Sequence, residues 1–233
     1  MGKIADHRAA LAGLSDWTGY LAANSGLPGP RGNLELVAAC GEEADLPRAR
    51  ALLGSEDEFQ MVCGLVAIGR LIGEGDHGLT ELLHENASDS RWRVREAVAM
   101  ALQRAADSDP ESAFETAAHW AEEPDPLIRR AAVAAVAEPR LIADTIRARQ
   151  ALRVLDLVTA HFERIPMDQR RTSSTRTLRQ ALGYAWSVVI AALPGEGLSA
   201  FHRIEASSDP DVQWIVRENL KKNRLKKLVG TMP

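Results

Sequence analysis

Apolar residues recur along this chain every three or four positions, so that stretch after stretch presents one greasy face and one wet face, the signature of packed α-helices. The pattern predicts helices over Leu79–Glu85, Trp92–Ala106, Leu127–Ala137, Ile146–Glu163, Thr175–Leu193 and Val212–Leu228. The run Phe59–Ile72 is apolar on most of its faces, as a helix enclosed by neighbours should be. Asp45 or Ser55 can cap the helices that follow them, and Ser88, Asp89 and Ser90 offer caps before Trp92. Breaks fall at Gly26–Gly32, Gly73–Gly78, Glu123–Pro126 and Pro166–Ser174. Asp109-Pro110-Glu111, Pro194-Gly195 and Asp209-Pro210-Asp211 open further helices, with proline placed where its missing N–H costs nothing. No period-two alternation bounded by hairpin turns occurs, which excludes a sheet.

One phrase is repeated: Val94-Arg95-Glu96-Ala97, Ile128-Arg129-Arg130-Ala131, Leu178-Arg179-Gln180-Ala181 and Val216-Arg217-Glu218-Asn219, at intervals of 34, 50 and 38 residues. Such periods belong to helix pairs, because one pair cannot bury its own apolar face and a stacked neighbour supplies the cover. The long middle interval places an insertion at Pro166–Ser174, and Asp57–Leu71 reads as a degenerate earlier unit. The expected fold is all-α, a right-handed α-solenoid (α-α superhelix) of HEAT-like antiparallel helix pairs, roughly five or six of them. It is read as one domain over residues 1–233. Residues 1–32 supply an N-terminal helix and a Gly/Pro loop, 33–233 the stacked pairs, and 211–228 a basic C-terminal helix.

Composition sharpens this picture. With 45% hydrophobic, 26% charged and only 5% aromatic residues, 233 residues suit close alanine- and leucine-rich helix stacking better than strands. No window approaches 18 apolar residues, and Met1–Leu21 lacks the apolar core of a secretion signal. Cys40 and Cys63 stand apart without metal-clip spacing, as buried thiols of a reducing, cytoplasmic setting. The net charge of −4 conceals a division. Residues 1–145 hold 13 Lys/Arg against 24 Asp/Glu, whereas residues 146–233 hold 15 against 8. The basic end suits an acidic protein surface or a nucleic-acid backbone, and equally a solvated helix face. No membrane, metal or cofactor is implied, and a monomer is expected.

Candidate chemistry centres on the repeated cations. Arg95, Arg129, Arg179 and Arg217 in register would line a concave face with guanidinium groups able to grip phosphates or carboxylates; the alternative is that each pairs inside the protein with Asp89, Asp125, Asp209 or Asp211. Trp92 and Trp214 each stand two residues before the aliphatic of the phrase, placed either to stack on a base or to fill the seam between helix pairs. Lys221 extends the basic end. Gly73-Glu74-Gly75-Asp76-His77-Gly78 matches a dinucleotide fingerprint in letters only, since no strand precedes it. Asp76, His77 and His84 match no zinc spacing, and Glu42/Glu43 and Glu122/Glu123 read as solvated surface.

The segment Phe114–Val133, with Trp120 and Asp125-Pro126-Leu127-Ile128-Arg129-Arg130-Ala131-Ala132, resembles the AlkD-type DNA alkylation-repair glycosylases. Arg179-Gln180-Ala181-Leu182-Gly183-Tyr184-Ala185-Trp186 and Asp57-Glu58-Phe59-Gln60 are similar to other segments of that family, so the resemblance spans roughly residues 56–200. It implies a HEAT-like solenoid that holds duplex DNA on a basic concave face and excises cationic alkylated bases. Arg130 would match a phosphate-contacting arginine, and Tyr184 would replace a lesion-facing tryptophan. The family's catalytic aspartate falls near Val94–Glu96, where Arg95 stands. A cation there repels positive charge developing on the sugar, so the resemblance implies a relative of the fold without the active site, with Glu96 as the one carboxylate nearby. The resulting expectation is a non-catalytic binding or scaffold module with an arginine-bearing concave face; an AlkD-like DNA-binding protein or glycosylase is the alternative.

Overall fold

The computed structural model describes residues 2–229, and among these it contains α-helices, short 3-10 turns and no strand. The chain divides into two compact units, residues 1–110 and 111–233.

The first unit holds α1 (Lys3–Ala12), α2 (Thr18–Asn24), α3 (Leu34–Glu43), α4 (Leu46–Leu53), α5 (Glu58–Gly73), α6 (Thr80–Asn86) and α7 (Trp92–Ala106). Short polar side chains start the helices. Asn33, Asp45 and Asp57 each accept a backbone N–H of the first turn of α3, α4 and α5, satisfying donors that have no partner inside the helix. The cap of α5 is therefore Asp57; Ser55 instead accepts the N–H of Asp57. α3, α5 and α7 lie side by side and run in the same direction. Glu58 at the start of α5 meets Arg93 at the start of α7, and Gly69 and Gly73 near its end meet Ala101 and Ala105. Arg70 near the end of α5 donates to the carbonyls of Gly41 and Ala44 at the end of α3. α4 and α6 take the chain back between them, so the unit has two layers of alternating direction. Its core is Leu36, Cys40, Leu65, Ile68, Leu83, Val98 and Leu102, all essentially inaccessible. The Gly73–Gly78 stretch is a helix end and turn, with Gly75 at φ 112°, and not a phosphate loop.

The second unit holds α8 (Pro110–Glu122), α9 (Pro126–Val136), α10 (Thr145–Glu163), α11 (Ser173–Ala192), α12 (Pro194–Glu205), α13 (Pro210–Leu220) and α14 (Asn223–Val229). α8, α10 and α12 form one parallel layer. Arg147 stacks over Phe114 and His161 faces Glu122 from α10 to α8, while Arg149–Glu196 and Asp156–Arg203 tie α10 to α12 in the same order. α11 and α13 run parallel in the other layer, Arg179 meeting Asp211 and Gly183 meeting Trp214 and Glu218. Parallel neighbours within a layer, with a reversal between layers, are the arrangement of HEAT-like antiparallel pairs in an α-solenoid, and that is the fold class in each unit. The basic end differs from the single helix expected over 211–228. The chain turns at Lys221–Lys222 so that Leu225, fully buried, can pack back, which yields α13 and α14. The polar loop Pro166–Ser174 contains a 3-10 turn, Gln169–Arg171, and the start of α11.

Candidate functional site

The four repeated arginines do not share one environment. Arg95 and Arg129 are the fourth residues of α7 and α9, whereas Arg179 is the seventh of α11 and Arg217 the eighth of α13. Arg95 turns back to donate to the carbonyls of Asp89 and Ser90 in the preceding loop. Gln213, the fourth residue of α13, does the same work on Glu205 and Ser207. Arg170, just ahead of α11, donates to Glu163 and Ile165 while pairing with Asp209. These side chains staple each loop to the helix that follows it, satisfying carbonyls that a helix end leaves open. Arg129 is buried, and burial pushes its pKa below the usual guanidinium value against the opposing pull of Glu122 and Glu123. Arg130, beside it, is half-buried.

Arg179 is held by Asp211 and lies over the Trp214 ring, 4.5 Å from its centroid. Trp214 in turn fills the space over Gly183, where a Cβ would come within 2.9 Å of the indole. Asn219, fully buried, accepts the Ser187 N–H at 2.8 Å and donates to Leu182 and Ile215, locking α13 to α11. This seam is structural, and it fixes the surface beside it.

That surface is basic and aromatic. Tyr184 is 45% exposed on α11, one helical stripe with Arg176 and Gln180. From α14, Arg224 donates to its hydroxyl at 2.8 Å and lies 5.0 Å from its ring; Lys222 approaches the same ring at 5.6 Å. Arg217 projects exposed from α13, and Lys226 from α14. Lys221 is half-committed, since it bonds Glu218 and holds that carboxyl below its usual pKa. Arg179, Tyr184, Trp214, Arg217 and Lys221 thus belong to one neighbourhood of the second unit, in which Arg179 and Trp214 face inward. Lys222 and Arg224 complete it. Their role was hidden in sequence because they lie past a helix break that carries neither glycine nor proline.

In the first unit, Trp92 is 55% exposed and stacked on by Arg93. Trp92, Arg93, Glu96 and Met100 of α7, Phe59 and Val62 of α5, and Leu34 and Val37 of α3 line a small apolar recess. Arg95 leaves this recess for the loop carbonyls, while Glu96 stays on it. Among the described residues no group of three or more His, Cys, Asp or Glu is placed to hold a metal, and no helix is long and apolar enough to cross a membrane.

No protein-family model matches the chain, and no curated protein does. Among solved structures it is similar to an engineered protein at 16% identity, covering 97% of this chain and 100% of that one, with a TM-score of 0.40. A second engineered protein is similar at 15% identity, 98% of each chain and a TM-score of 0.39. A designed armadillo repeat protein follows at 15% identity, 88% of this chain, 98% of that one and a TM-score of 0.36.

Proposed function

We propose that this chain is a non-catalytic helical-repeat binding module, and that the basic aromatic surface of α11, α13 and α14 captures an acidic partner, whether a protein surface or a nucleic-acid backbone. The observation that carries this reading is the convergence of Lys222 and Arg224 from α14 on Tyr184 of α11, beside an exposed Arg217. An aromatic platform ringed by cations, with Glu218 as the carboxylate that Lys221, Lys222 and Arg217 share, offers charge, planar donors and a stacking face together. Its two free, buried thiols suit a reducing, cytoplasmic setting.

The experiment is retention on heparin and on duplex DNA across a salt series, for wild type and for the Arg217→Ala/Lys222→Ala/Arg224→Ala variant. All three residues are at least partly exposed, so their removal spares the core. The variant should elute at lower salt, and on duplex DNA its slope should be shallower by about 0.9 for each phosphate it no longer neutralises. Equal elution of both proteins would remove the surface from consideration.

A second reading, a base-excising glycosylase of the AlkD type, is favoured by one observation: Trp92 and Glu96 line the same recess, from which the repelling Arg95 has turned away. Incubation with methylated duplex DNA decides between them. The binding module releases no 7-methylguanine; release that disappears in Glu96→Gln would establish the enzyme.

A further inference from the structure

The recess of the first unit is one part of a longer groove. α5 forms the floor, with Phe59 and Val62, each under a tenth exposed, lining it between α3 and α7. Leu34, 60% exposed, stands on the α3 wall, and Trp92, 55% exposed, on the α7 wall with Met100 behind it. Both ends are closed. At one, Arg93 of α7 pairs with Glu58 of α5 at 3.0 Å and donates to the Gly29 carbonyl. At the other, Arg104 of α7 reaches across α5 to Glu42 of α3 at 2.6 Å. The recess within holds about 80 Å³, room for one aliphatic or aromatic side chain.

A solvent-facing Leu and Trp on opposing walls over an apolar floor cost the free protein hydration free energy, which a partner's side chain would recover. Charge selects which partner. Both arginines at the groove are neutralised by this chain's own Glu58 and Glu42. Glu35 is exposed beside Leu34, and residues 1–110 carry 10 Lys/Arg against 17 Asp/Glu. We infer that the α3–α5–α7 groove is a docking site for a basic segment of a partner protein that inserts one large apolar side chain between Leu34 and Trp92. A segment bearing carboxylates is repelled by the same surroundings. The site is separate from the basic aromatic surface and opposite to it in sign, so either can fail without the other.

Fluorescence anisotropy with two labelled helical peptides of about four turns tests this, one of leucine and lysine, the other of the same leucine pattern with glutamate. The lysine peptide should bind the full chain, and binding should weaken about tenfold in Trp92→Ala and in Leu34→Ser, the usual loss for an anchoring side chain. Glu35→Gln should weaken it by a smaller factor, and the Arg217→Ala/Lys222→Ala/Arg224→Ala variant should bind as wild type. Because Leu34 and Trp92 are largely exposed, a native circular dichroism spectrum is expected for each variant and is checked alongside. Three results overturn the inference: no binding of the lysine peptide, equal binding of the glutamate peptide, or affinity indifferent to both Leu34→Ser and Trp92→Ala.

Discussion

Asp209 concentrates several duties in one carboxylate. It caps α13 by accepting the N–H groups of Asp211 and Val212, and it pairs with Arg170, whose other donors hold the end of α10. Burial alone would raise its pKa, but the Arg170 bond and the two N–H groups outweigh that and hold it below the usual aspartate value. A carboxyl whose pKa is lower folded than unfolded adds stability above its unfolded value and loses it as pH falls through the folded one. Urea midpoints should therefore drop between pH 5 and pH 2, at about and below the ordinary aspartate range, and Asp209→Asn should be less stable at pH 7 with a flatter profile. A profile for Asp209→Asn as steep as wild type would assign the acid sensitivity elsewhere. Capping aspartates of this sort were legible from the Asp-Pro pairs. The stapling role of Arg95 was not, because it depends on counting from the helix start, and the repeated phrase sits at different counts in different helices. Gln213, chemically unlike arginine, takes the equivalent place while Arg217 points away.

At the scale of elements, the apolar periodicity located α5, α7, α9, α10 and α11 within two residues at each end, since long amphipathic runs with capping residues leave little choice. Two features escaped it. The turn between α13 and α14 carries no breaker residue, and only the burial of Leu225 explains it. Gly69 sits inside a helical pattern where glycine is unfavourable, and its reason is tertiary. A Cβ on Gly69 would lie 2.2 Å from the carbonyl oxygen of Ala101, so α5 and α7 touch backbone to backbone. Gly69→Ala therefore sets a propensity gain of about 1 kcal/mol against overpacking that costs roughly 1–3 kcal/mol or more. Backbone is the obstacle here, so the clash wins. Net destabilisation is expected, read as a lower urea midpoint; a stabilised Gly69→Ala would show that the helices separate easily. Gly75, open on all sides but at positive φ, resists alanine through backbone strain alone.

Across the whole molecule, the division of charge announced itself in composition, and the compact units share it only in part: residues 1–110 carry 10 Lys/Arg against 17 Asp/Glu and residues 111–233 carry 18 against 15, the basic excess starting at residue 146, inside the second unit. What composition withheld was which cations are free to act. Arg70, Arg93, Arg104, Arg149, Arg170, Arg179 and Arg203 are each tied to a carboxylate of the chain, whereas Lys222 and Arg224 converge on the ring of Tyr184. The heparin and DNA salt series above thus measures a property of a local cluster and not of net charge, which is −4. The same-direction runs of α3, α5 and α7, and of α11 and α13, carry one more consequence. Their peptide dipoles add, so the amino ends gather partial positive charge along one edge of each layer, a natural landing strip for phosphate. Asp57, Asp209 and Asp211 occupy that strip already. At α5 and α13, therefore, polyanions are denied the cheapest foothold a parallel helix layer offers.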